Sequence, residues 1–147
     1  MDSGEIWTEL FDRWVAGNCD PSSDSIDYLR KYPPEDADFQ SLALVAHDMG
    51  KLDDALYFAI QGINRTSSYW NSESTVCGCN FIAGHCYELR DDLVNALKYY
   101  RQALAAAPND KCIKLICDVM RNRVYDKRLK AVQNIFARLR TTIRRSR

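Results

Sequence analysis

The chain has 147 residues, 46% hydrophobic and 27% charged, with a formal net charge of zero. That length suits one domain, able to bury about two-thirds of its unfolded surface without disulfide or metal staples. No apolar run approaches the ~18 residues of a transmembrane helix. The acidic start, MDSGEIWTELFDRW, lacks the apolar stretch of a secretory signal, so a cytoplasmic location is expected. The neutral total conceals a split. Residues 1–110 carry 8 Lys/Arg against 18 Asp/Glu, whereas residues 111–147 carry 12 against 2.

In chain order, Ile6 to Val15 places Ile6, Trp7, Leu10, Phe11, Trp14 and Val15 at helical spacings. The stretch GNCDPSSD breaks it, with Asp20 a candidate cap and Pro21 a candidate first residue for a second helix. That helix carries Ile26, Leu29 and Tyr32 and ends at Pro33–Pro34. A third helix runs through DADFQSLALVAHDM to Gly50, and a fourth follows almost at once as LDDALYFAIQGINR. The polar run TSSYWNSES is the expected loop. A fifth helix is expected over 75–89 and a sixth over 92–107, stopped by Pro108, with Asn109 or Asp110 capping the next. No segment alternates with period two, so no strands are expected.

The last third is helical but out of phase with itself. Ile113, Ile116, Met120 and Val124 form one stripe, and Leu129, Val132, Phe136, Leu139 and Ile143 another, spaced 3-4-3-4. The five-residue step from Val124 to Leu129 fits neither, so a turn or a bend is expected at Tyr125–Arg128. The second stripe is expected to pack on the body as a cap; its pairing with another copy as a short coiled coil stays open.

Six cysteines in a chain without a signal read as reduced free thiols, buried and behaving as small apolar side chains. Cys77 and Cys79, with His85 and Cys86, lack the CxxC spacing of a zinc knuckle. No serine elbow, phosphate-binding glycine loop or paired-histidine metal motif occurs. The expectation is therefore a non-enzyme with no cofactor or metal. The Asn64-Arg65-Thr66 sequon has meaning only in a secreted protein.

The two middle helix pairs share a register. Gly84, Tyr87, Ala96, Tyr100, Ala103 and Pro108 recur as small, Tyr, Ala, aromatic, Ala, Pro. The earlier pair places Phe39, Leu42, Ala43, Ala46, Gly50, Ala55, Ala59, Gly62 and Ser67 in the same frame. Helices approach closely only where side chains are small, so Ala43, Ala55, Gly84 and Ala96 mark crossings. This pattern resembles the tetratricopeptide repeat over about residues 36–110. Ala55 and Ala96 stand 41 apart, and the seven residues beyond the repeat's usual ~34 fall in Trp70–Val76.

The resemblance implies an all-α fold, antiparallel helix pairs stacked as a short right-handed solenoid in a single domain. Its parts are an N-terminal helix pair (1–35), a repeat (36–69), an insert loop (70–76), a second repeat (77–110) and basic C-terminal capping helices (111–147). It also implies an adaptor, scaffold or chaperone that holds a peptide or helix of another protein in a concave groove. Carried over, that groove comprises Gln40, Leu44, His47, Phe81, His85 and Glu88. Members that clamp acidic chaperone tails use Lys, Arg and Asn there, so Gln40, Leu44 and Phe81 argue for an amphipathic or apolar partner segment instead. Small three-repeat proteins of this kind resemble type III secretion chaperones and pieces of larger scaffold subunits. A different class of function would use Arg128, Lys130, Arg138, Arg140, Arg144 and Arg145 to bind nucleic acid or an anionic surface. It is less favoured, because no nucleic-acid fold motif accompanies them.

Overall fold

The computed structural model describes residues 2–34, 38–65 and 73–146. Among them are seven helices and no strand: α1 (Ser3–Val15), α2 (Ser25–Lys31), α3 (Phe39–Asp48), α4 (Leu52–Asn64), α5 (Glu73–Leu89), α6 (Leu93–Ala106) and α7 (Lys111–Arg145). No described helix is long and apolar enough to cross a membrane.

Local chemistry sets most boundaries. Asp2 and Glu5 form a reciprocal capping box, each carboxylate accepting the other's backbone N–H, so α1 begins at Ser3 rather than near Ile6. Its end is a Schellman turn: Gly17 sits at φ +73, and the Asn18 N–H reaches the Arg13 carbonyl at 2.8 Å. Gly50 does the same for α3, with Lys51 N–H on the Ala46 carbonyl at 2.9 Å. At the end of α5 this left-handed position is filled by Asp91, φ 58. Asp38, Asp92 and Asp110 cap α3, α6 and α7 through their side chains.

Three sequence expectations need correction. Asp20 does not cap α2. Its carboxylate accepts the Ser22 N–H and hydroxyl in a local turn, and α2 starts at Ser25. Residues 73–76 of the expected insert are helical, the start of α5; the rest of the polar run, 66–72, lies outside the described residues. The break expected at Tyr125–Arg128 does not occur, and α7 is one unbroken helix. Nothing in Tyr-Asp-Lys-Arg stops a helix: there is no Gly or Pro to free or block a backbone hydrogen bond.

Consecutive helices pack on one another from α3 to α7, and α3 also meets α5. Short turns join α3 to α4 and α5 to α6, so each pair runs antiparallel. Two apolar clusters result. One gathers Leu10, Ile26, Leu29, Leu42, Phe58 and Cys86 from α1 to α5. The other gathers Leu97, Tyr100, Ile113, Cys117, Met120 and Val124 from α6 and α7. α5 lies between them, with Cys79 and Ile82 in the first and Cys77 and Phe81 against the second.

Small residues stand where helices meet. Ala43, Ala55 and Ala96 have no exposed surface. A Cβ on Gly84 would lie 2.8 Å from the Tyr100 ring. Ala96→Leu therefore has no room and should cost about 1–3 kcal/mol of stability. Thermal unfolding should show a midpoint lowered by several degrees with helical content unchanged.

Candidate functional site

α3 carries Gln40, Leu44 and His47 at helical spacing, and α5 carries Phe81, His85 and Glu88. All six are half-buried, each partly covered by neighbouring helices. Where α3 and α5 meet, the structure joins the two histidines. His47 Nε2 lies 2.8 Å from His85 Nδ1, with ring centroids 4.8 Å apart. One of those nitrogens must donate and the other accept. His47 Nδ1 reaches Asp48 at 3.2 Å, and the other Asp48 oxygen accepts the Trp14 indole N–H at 2.8 Å. The chain of contacts ties α1, α3 and α5 together. Further along the same seam Gln40 lies over Gly78, whose missing side chain makes the room. Leu44 packs against the first apolar cluster. The α3 half of the expected groove is thus occupied by contacts within the chain.

The α5 half opens differently. Phe81, His85 and Glu88 line a hollow of about 470 Å³ together with Tyr100 and four α7 residues, Leu115, Ile116, Val119 and Met120. Phe81 and Tyr100 pack ring against ring, centroids 5.4 Å apart. Leu115 and Val119 stand on the rim, 64% and 45% exposed. Glu88 has both oxygens engaged: one accepts the Tyr100 hydroxyl at 2.7 Å, the other the Arg123 guanidinium at 3.0 Å. Burial, with the Glu88 carboxylate beside it, pushes the Tyr100 hydroxyl's pKa well up, so it stays protonated and keeps donating. The floor is therefore a satisfied polar clasp under apolar walls.

The α7 wall was missing from the sequence reading. Its signal was present in the four-residue step from Leu115 to Val119, a short apolar strip beside the body-facing stripe. The basic residues Arg128, Lys130, Arg138, Arg140, Arg144 and Arg145 are all exposed on α7. They lie beyond this hollow, apart from the groove residues.

The cysteines do not converge. Cys77 and Cys79 point to opposite faces of α5, because two residues turn a helix by about 200°. Among the described residues no three His, Cys, Asp or Glu groups cluster as a metal would need. Cys112 is exposed, unlike the buried thiols expected. Burial pushes the Cys79 thiol up to about 12 and the Cys86 thiol up to about 11. Comparison with protein-family models, curated proteins and solved structures finds no match.

Those shifts have a sign. An unfolded thiol ionises near 9.0, before either folded one, so the folded state holds more protons above that pH. The contribution is complete below about pH 9 and is lost as pH rises toward 11–12. Urea midpoints should therefore fall from pH 8.5 to 10.5. A brief alkylation at pH 8 followed by mass analysis should modify Cys112 first and spare Cys79 and Cys86 until urea is added.

Proposed function

We propose that the chain is a non-enzymatic protein-interaction module, a short tetratricopeptide-like array of helix pairs that receives a helix or apolar segment of a partner protein. The observation that carries this reading is the hollow between α5, α6 and α7, with apolar walls and the exposed rim of Leu115 and Val119. A volume of about 470 Å³ suits the one or two large apolar side chains that anchor a helix in a groove. The array reading draws on the shared register of the two middle helix pairs and on the small residues buried at their crossings. The groove of this reading is shifted from the one expected: Phe81, His85 and Glu88 belong to it, whereas Gln40, Leu44 and His47 serve the α3–α5 seam.

Binding of nucleic acid through the α7 arginines is the less favoured function. A phosphate backbone has no use for the apolar residues exposed between those arginines, from Leu129 to Ile143.

A displayed library of amphipathic helices, selected against the full chain, tests the groove. Leu115→Asp changes a rim side chain and should leave the melting curve unaltered while abolishing binding of the selected helices. Phe81→Ala should weaken them by about 1 kcal/mol or more. Selected helices that bind Leu115→Asp as well as the parent would place the interaction elsewhere.

A further inference from the structure

The second half of α7 carries an apolar stripe that no described residue covers. Leu129, Val132, Phe136, Leu139 and Ile143 are each between 42% and 57% exposed, and every residue from Tyr125 to Ser146 is exposed. The reason is length: the Lys127 ammonium on Asp91 is the last side-chain link to the described body, and the unbroken helix runs on past it with every face exposed. The cap expected from the sequence does not form, and a stripe this regular has another use.

The occupant can be argued from spacing and charge. The 3-4-3-4 steps keep a period of 3.5, the spacing that keeps a seam facing a second helix. A helix lying in a membrane interface needs only a broad apolar face. The positions flanking the seam include Arg128 and Arg140, with Lys130 and Arg144 just outside. Residues 129–147 hold six basic residues and no acidic one. None of Lys130, Arg138, Arg140, Arg144 and Arg145 makes an ion pair with another described residue. Two such arms, each carrying six basic residues and no acidic one over 129–147, repel one another as wholes and offer no carboxylate within that span, which opposes pairing. An anionic membrane would attract the arginines but repel a body carrying 18 carboxylates against 8 basic residues.

We propose that residues 129–143 form a docking arm for an acidic amphipathic helix of another protein, which lays its own apolar heptad stripe on this one and sets carboxylates against Arg128, Arg140 and their neighbours. The arm is distinct from the hollow at Phe81 and does not depend on its reading.

Two synthetic three-heptad helices test it on the full chain. Both have Leu at the seam; one has Glu and the other Lys at the flanking positions. Fluorescence anisotropy should show the Glu peptide binding at least about ten-fold tighter than the Lys peptide, with affinity falling as salt is added. Phe136→Asp should abolish that binding with circular dichroism and melting midpoint unchanged. Arg128→Glu with Arg140→Glu should invert the preference. Equal binding of the two peptides, or full binding by Phe136→Asp, overturns the proposal. So does a Phe136→Asp protein that unfolds, because the side chain would then be packed on the body. A concentration-dependent dimer in sedimentation that Phe136→Asp dissolves makes a second copy the occupant. Capture by phosphatidylserine vesicles or duplex DNA, with the Glu peptide unbound, makes it an anionic surface. Either result overturns the proposal.

Discussion

The approach of α6 to α5 at Gly84 fixes the C-terminal half of the molecule. Only hydrogen at that position lets the Tyr100 ring lie against the α5 backbone, since a Cβ would stand 2.8 Å from it. The ring's hydroxyl then reaches Glu88, one turn further along α5, and the second Glu88 oxygen takes Arg123 from α7. A single carboxylate thereby registers three helices. The bond from Tyr100 is part-buried and charge-assisted, whereas the Arg123 pair faces solvent and adds less. The same contacts place Leu115 and Val119 across from Phe81, so the hollow is a consequence of how closely α5 and α6 can pack.

The clasp also sets where α7 goes. Arg123 and, one turn on, Lys127 to Asp91 at 2.8 Å are the last side-chain links between α7 and the body. An isolated helix of the remaining length would be marginal in water, because starting a helix is unfavourable. Here the first half is already ordered by Ile113, Cys117, Met120 and Val124, and the second half only has to propagate from it. Ala131 and Ala137, with the Leu, Lys, Arg and Gln residues between and around them, are favourable residues for that propagation. Tertiary packing in one half thus supports an exposed helix in the other.

Much of this was legible from residue types alone. The helix class, the stops at Gly17, Gly50 and Pro108, and the small side chains buried at Ala43, Ala55 and Ala96 follow from local chemistry that acts wherever those residues occur. Four things were not legible, each for a physical reason. Asp20–Pro21 carries the pattern of a helix start, but a serine two residues on offers the aspartate a local turn that satisfies the same carboxylate. The phase slip after Val124 looks like a break only if both stripes must face one core. Half of the expected groove closed because two histidines 38 residues apart meet at 2.8 Å, and no spacing in the sequence announces a contact between separate helices. The α7 wall was missed because its strip, Leu115 and Val119, is two residues long, too short to stand out as periodicity.

The charge split takes its meaning from that geometry. A basic tail on an acidic body would ordinarily fold back and neutralise it. In this chain a rigid rod prevents that. Two ion pairs, at Arg123 and Lys127, use the part of α7 that still touches the body. Beyond them the helix rises 1.5 Å per residue, so Arg138 to Arg145 stand about 17–27 Å past Lys127 along the axis. At physiological ionic strength fields decay over about 8 Å. The acidic body and the distal arginines are then electrically almost independent, although the chain as a whole is neutral. An arm whose distal arginines pair with no described residue keeps both its positive field and its apolar stripe available outward, which is the combination that an acidic helix reads and a second, equally basic arm does not.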